Sequence, residues 1–139
     1  MNQPQHIRFA FFGSSRFSIL VLNDFERAGY IPVCVVTTPD KPQGRKLVIT
    51  PNVVKTWAVE RNIAVYDPAK LDEEFIEKLK KEVCDVFIVA SYGKIIPALI
   101  IDLPRRKTLN IHPSLLPKYR GASPLQSAIL DDAKATGVT

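Results

Sequence analysis

Short apolar runs alternate with amphipathic segments along the whole chain. The first run, IRFAFFG (residues 7–13), ends in glycine and reads as a strand covered on both faces. In the next segment Phe17, Leu20, Val21 and Phe25 recur at helical spacing, and Gly29 suits a C-terminal cap. IPVCVVTTP is a second apolar strand, stopped by Pro39, and DKPQGRKLV reads as a loop because Pro and Gly stand close together. TPNVVKTWAVERN then predicts a helix, with Thr50 as N-cap, Pro51 at the first helical position and Val54, Trp57 and Ala58 as its apolar stripe. IAVYDP is a short strand. DEEFIEKLKKEV is a charged helix that buries Phe75, Ile76 and Leu79, with acids early and lysines late to suit its dipole. CDVFIVASYG is another buried strand, and LPRRKTLNIHPS contains one more. SPLQSAIL opens a helix with Ser123 as cap and Pro124 at its first position.

The order is therefore β-α-β-α-β-α-β-(short α)-β-α. Apolar strands alternating with amphipathic helices imply right-handed crossovers and a parallel sheet covered on both sides. The expected fold class is α/β, a doubly wound, mostly parallel, Rossmann-like sheet. Ligands in such sheets bind beyond the carboxyl ends of the strands. The 139 residues suit one domain and are too few for two ordinary ones. Apolar content of 46% and charged content of 24% are ordinary for a globular chain.

MNQPQHIRFAFFG lacks a basic start and a small-residue cleavage site, so no secretory leader is expected. No apolar run approaches about 18 residues, so no membrane span is expected either. Cys34 and Cys84 lack metal-ligand spacing and read as buried, reduced thiols of a cytoplasmic protein, with no metal site.

The first βα turn, FFGSSRFS, has only Gly13 where a dinucleotide-binding turn needs G-x-G-x-x-G. NAD binding is therefore not expected. TLNIHPS carries the strongest chemistry. Alternate residues of a strand share a face, so Asn110 and His112 point the same way at a site-bearing strand end. An Asn amide donates to a developing oxyanion without changing charge, and a His exchanges protons near neutrality. The same pair also fits a satisfied structural Asn and His. In SLLPKYRG, a small polar group, two leucines and a proline-stiffened backbone suit a wall for a flat heterocycle, or else a surface loop anchored by Leu115 and Leu116.

The net charge of +5 favours polyanions only weakly, and its placement is more informative. Lys41, Arg45 and Lys46 share one Pro/Gly loop, Arg105, Arg106 and Lys107 form a run, and Lys118 and Arg120 flank the SLLPKYRG turn. The first loop is either a solvated turn or a phosphate contact on a nucleic acid.

NIHPSLLPKYRGASPLQSAIL resembles the signature of the folate-dependent formyltransferases. TTPDKPQGRK, VFIVASYGKIIP and the closing DDAKATGVT resemble the methionyl-tRNA formyltransferase branch, and the likeness runs from about Ile7 to Thr139. Glycinamide ribonucleotide formyltransferases resemble the chain at NIHPSLLP but generally lack the PDKPQGRK and RGASPLQ stretches. Sugar N-formyltransferases share the RG but usually differ in the early loop.

The resemblance implies transfer of a formyl group from 10-formyltetrahydrofolate to the α-amine of initiator methionyl-tRNA. It places Asn110 and His112 at the family's catalytic Asn and His. Ser114, Leu115, Leu116 and Pro117 match the folate-binding segment, and Arg45 and Lys46 match the tRNA-contacting insertion. It also implies a third catalytic residue, an aspartate in an LDTGD-like segment, which would lie beyond Thr139, and a C-terminal β-barrel domain. Residues 1–139 then read as an N-terminal formyltransferase domain, incomplete at its C-terminal end and inactive alone, with a sheet edge open to self-association. GASP replaces the commoner GAAP, and FGSSRFS replaces the usual GTP-x-F turn. The rivals are another amine formyltransferase of the superfamily, acting on glycinamide ribonucleotide or an amino sugar, and a non-catalytic folate- or RNA-binding fragment.

Overall fold

The structure is a computed structural model and describes residues 6–43, 45–46 and 48–139. Five parallel strands form the main sheet: β1 (Phe9–Phe12), β2 (Cys34–Val36), β5 (Ala64–Tyr66), β6 (Val86–Val89) and β7 (Thr108–Asn110). Their spatial order is β5-β2-β1-β6-β7. The chain runs outward from β1 to β5, returns to β6 and ends at β7, so the order reverses between β1 and β6. This is the doubly wound arrangement, and the switch point lies beside β1.

Alternation along each strand divides the core in two. Ala10, Phe12, Cys34, Val36, Phe87 and Val89 face one side, where α3 (Glu73–Lys80) brings Phe75, Ile76 and Leu79 and α4 (Ala98–Ile101) brings Ile100. Phe9, Phe11, Val35, Val86 and Ile88 face the other, against Leu22 of α1 (Arg16–Arg27) and Val54, Trp57 and Ala58 of α2 (Val53–Val59). Both faces are covered at the three central strands β1, β2 and β6, which is why these read as continuous apolar runs. Helix α5 (Pro124–Leu130) follows β7, with Ser123 at its N-cap position and Pro124 at its start. Cys34 is buried, Cys84 is half-buried, and both are free thiols. The neighbouring Cys84 thiol and burial together push the Cys34 thiol well up.

Three expectations need correction. The DKPQGRKLV stretch is not simply a loop. Its ends pair antiparallel as β3 (Lys41–Gln43) and β4 (Val48–Thr50), with Lys41 opposite Thr50. Thr50 is thereby held in the hairpin, and the N-cap of α2 is Asn52, whose side chain accepts from Val54 N at 2.9 Å. On α1, Leu20 is 63% exposed, while Ser18 and Leu22 take the fully buried positions. A buried serine is tolerable there because its hydroxyl is fully used, as described below.

Strand β7 lies at the sheet edge, as expected, but the edge is not bare throughout. Just past the strand, His112 and Thr139 exchange both backbone hydrogen bonds, each 2.8 Å, in the manner of an antiparallel pair. Among the described residues no helix is long and apolar enough to cross a membrane.

Candidate active site

The carboxyl ends of β1, β2 and β6 are tied together by the serine turn after β1. Ser14 Oγ donates to Tyr92 O at 3.1 Å and accepts from Thr38 N at 3.2 Å and Thr37 Oγ1 at 3.3 Å. Ser18 Oγ accepts from Ser14 N and Ser15 N and donates to Ala90 O at 2.6 Å. Gly13 permits this closeness, since a Cβ there would lie 2.5 Å from Ser18 Oγ and 2.7 Å from the Phe11 ring. The turn that lacks a dinucleotide fingerprint is a serine brace for the floor of the site.

Two cavities open above this floor. One, of about 360 Å³, is lined by Asn110 and His112 together with Ile95, Ile111, Gly121 and Ala122. The other, of about 310 Å³, is lined by Ser14, Ser15, Thr38, Lys41, Thr50 and Asn52. Ser91, Tyr92 and Gly93 line both and form the ridge between them. Ser91 and Gly93 have φ of 56° and 81°. The left-handed conformation of Ser91 costs roughly 1–2 kcal/mol, which fits a ridge shaped for function. Lys94, which also lines the first cavity, donates from Nζ to Pro68 O and Ala69 O at 3.0 Å each.

Tyr92 is 2% exposed, and its hydroxyl has no hydrogen-bond partner among the described residues. Burial pushes its phenol up to about 12. A buried hydroxyl without a partner costs about 1–3 kcal/mol. Tyr92→Phe is therefore expected to leave the melting temperature unchanged or raise it by a few degrees. A fall of several degrees in a thermal melt would contradict the orphaned hydroxyl.

Asn110, at the end of β7, and His112, just past it, line one cavity together with the Ile111 between them. The His112 ring nitrogen Nε2 lies 2.8 Å from Tyr119 O, so residues 113–119 fold back over the ring. Ser114 is fully buried, and its Oγ donates to Lys118 O at 2.7 Å. Leu115 and Leu116 are 52% and 44% exposed, so the loop is anchored by Ser114 rather than by the leucines. Leu115 packs against Gly137, where a Cβ would approach Leu115 Cδ2 to 2.7 Å. The Leu116–Pro117 peptide bond is cis. Ser114, Leu115, Leu116 and Pro117 stand beside the cavity of Asn110 and His112 and do not line it.

Arg45 and Lys46 are exposed at the turn of the β3–β4 hairpin, whose base lines the second cavity through Lys41 and Thr50. That base is fixed by charge. Lys55 Nζ lies 3.0 Å from Asp40 and 2.8 Å from Asp67, and Asp40 also accepts from Asn52 N at 3.1 Å. The Lys55 ammonium and the Asn52 N–H hold the Asp40 carboxyl below the usual range, and Asp67 and then Asp40 raise Lys55.

The sequence offers the turn of Ser14 as either a plain tight turn or an edge of the substrate site, and does not single out Ser18, Asn52 or Tyr92. The one available signal is a serine-rich turn directly after an apolar run, which gives no hint of partners just beyond the ends of two other strands.

The Formyl transferase family model matches residues 7–139. The chain is 42% identical over 134 residues to a methionyl-tRNA formyltransferase of Sulfurihydrogenibium sp., covering 95% of this chain and 43% of that protein. It is 44% identical over 134 residues to the methionyl-tRNA formyltransferase of Thermus thermophilus, covering 96% and 44%. It thus spans less than half the length of these curated relatives. Among solved structures, the phosphoribosylglycinamide formyltransferase of Bacillus halodurans superposes with a TM-score of 0.73 at 24% identity, over 95% of this chain and 69% of that one, a likeness of fold. A family match over nearly every described residue, on a doubly wound sheet with its cavities at the switch point, places the sequence: the chain belongs to the formyl transferase family.

Proposed function

We propose that residues 1–139 are the N-terminal domain of a cytoplasmic methionyl-tRNA formyltransferase, which moves a formyl group from 10-formyltetrahydrofolate to the α-amine of initiator methionyl-tRNA. The observation that carries the reading is the joint opening of Asn110 and His112 into one cavity at the carboxyl end of β7. The donor fits that cavity by character. The volume falls in the range of ligand pockets, and the walls are mainly apolar with few polar groups. When bound, the donor supplies an electrophilic formyl carbon.

The chain's own residues would do the rest. The Asn110 amide donates a hydrogen bond to the formyl oxygen as it gains charge. The His112 imidazole takes the proton that the attacking amine must lose and returns it to the departing folate nitrogen. One C–N bond forms, one breaks, and the proton follows the leaving group. Leu115, Leu116 and Pro117 would meet only a part of the donor that projects beyond the cavity, and Ser114 shapes their loop. The second cavity, on the far side of the Ser91–Gly93 ridge, is where the acceptor's amino acid enters.

Arg45 and Lys46 then meet tRNA phosphates from the hairpin that borders the acceptor cavity. Each phosphate contact contributes close to one unit to the salt dependence of binding. Replacing both residues with alanine is therefore expected to weaken tRNA binding and flatten the slope of log K against log[salt] by about two units. An unchanged slope would leave the hairpin a solvated turn and remove the support it gives to tRNA as acceptor.

A further inference from the structure

We infer that Ser114 is a positioning residue: through the loop it closes, it holds His112 in the tautomer that carries its proton on Nε2 and leaves Nδ1 free to accept one. The inference deepens the reading of His112 as the proton-transfer group and rests on that reading. The geometry starts from the 2.8 Å contact between His112 Nε2 and Tyr119 O. A backbone carbonyl only accepts, so Nε2 must carry the hydrogen, and the neutral ring keeps its lone pair on Nδ1.

The Tyr119 carbonyl is held in place by its neighbours. Ser114 N donates to His112 O at 2.8 Å, Ser114 Oγ donates to Lys118 O at 2.7 Å, and Lys118 N donates to Leu115 O at 3.1 Å. Tyr119 follows with φ of 55°, which turns the chain back toward the ring. Thr139 clasps the same loop from outside, its Oγ1 donating to Ser114 O at 2.7 Å and accepting from Leu116 N at 3.1 Å. The result is a closed circuit from His112 through Ser114 and Lys118 to Tyr119 and back to the ring. Ser114 is 0% exposed and its only proton is spent on Lys118 O, so its hydroxyl is not available to a ligand. Its contribution to the site is the orientation of its neighbour.

The test needs no turnover. The chain has two histidines, His6 and His112, so the imidazoles of the 15N-labelled 139-residue protein are separable by NMR. At a pH of about 8, where an ordinary imidazole is neutral, His112 is expected to show a single tautomer. Its Nε2 proton should be directly visible and protected from exchange, while exposed His6 shows the mixed tautomers of a free ring. In Ser114→Ala the protected proton should disappear while the backbone spectrum of the sheet is retained, and Ser114→Thr, which keeps the hydroxyl, should restore it. A proton on Nδ1 of His112 in the unaltered protein overturns the inference, and needs no variant to do so. An unchanged Nε2 proton in Ser114→Ala also overturns it.

A second readout uses residues 1–139 joined to the part of the Thermus thermophilus relative that lies beyond the matched region. There Ser114→Ala should lower kcat about tenfold, a fraction of what proton transfer is worth, with little change in KM for the donor. A raised KM at constant kcat would make Ser114 a ligand contact instead. Failure of that chimera to transfer formyl groups at all would count against the proposed function and leave the tautomer result standing.

Discussion

Replacing His112 with alanine is expected to lower formyl transfer by about two orders of magnitude or more, with donor affinity little changed. Asn110→Ala is expected to do the same through a different term, the loss of a hydrogen bond that matters only once the formyl oxygen gains charge. The measurement is steady-state transfer by the chimera with the Thermus thermophilus C-terminal part, with donor binding measured separately. Both side chains line the cavity and neither belongs to the two core clusters, so the substitutions spare the core, although His112→Ala also gives up the bond to Tyr119 O. Near-normal turnover in both variants would return the pair to a structural role. A loss confined to KM would make them binding residues only.

The second large effect concerns the 139-residue chain by itself. Its turnover is expected to fall at least about a hundredfold below that of the chimera, because a carboxylate near a catalytic imidazole stabilises the imidazolium that forms, by charge and without needing a ring N–H, an effect commonly worth orders of magnitude. Among the described residues no carboxylate bonds to His112, whose ring is met by the Tyr119 carbonyl alone. The cavity is also poorly walled on its outer side. Ile95 is 94% exposed at its rim, and Leu115 and Leu116 stand clear of it. Donor binding should accordingly be weak. Along Thr108–Asn110 the outer edge of β7 has no partner strand in the described sheet, and Leu109 is 59% exposed beside it. Such an edge recruits another chain. Light scattering is expected to report a mass above that of one chain, and the chimera should be free of that association. Comparable turnover by chain and chimera would show that the acidic partner is dispensable, and a clean monomer would remove the edge argument.

Much of the fold follows from local pattern. Phe9 to Phe12 and Val86 to Val89 are apolar at every position because both faces of β1 and β6 are covered, and that run is visible without a structure. The two-residue period of a strand suggests pairing Asn110 with His112, but β7 ends at Asn110 and Ile111 lines the same cavity, so strand period alone does not account for their meeting. The hairpin escaped notice because Lys41, Pro42 and Gln43 have no strand propensity. What fixes its base is the Lys55 bridge to Asp40 and Asp67, residues from three separate segments. Ser114 was legible as part of a motif but not in its role. A serine in SLLPK can face a ligand or close a turn, and only the 2.7 Å bond to Lys118 O decides between them. The spacing that includes Leu20 fits several helix faces, and the inward position belongs to Ser18, whose hydroxyl reaches Ala90 O across the sheet end.

The most direct test of the account is the choice of acceptor. The chimera would be given 10-formyltetrahydrofolate with initiator methionyl-tRNA in one reaction and glycinamide ribonucleotide in another, and the formylated product of each would be quantified. The tRNA-borne methionine is expected to be formylated, with the product lost in His112→Ala and reduced in the Arg45 and Lys46 double substitution, and the ribonucleotide is expected to remain unformylated. Formylation of glycinamide ribonucleotide in preference to the tRNA would contradict that expectation.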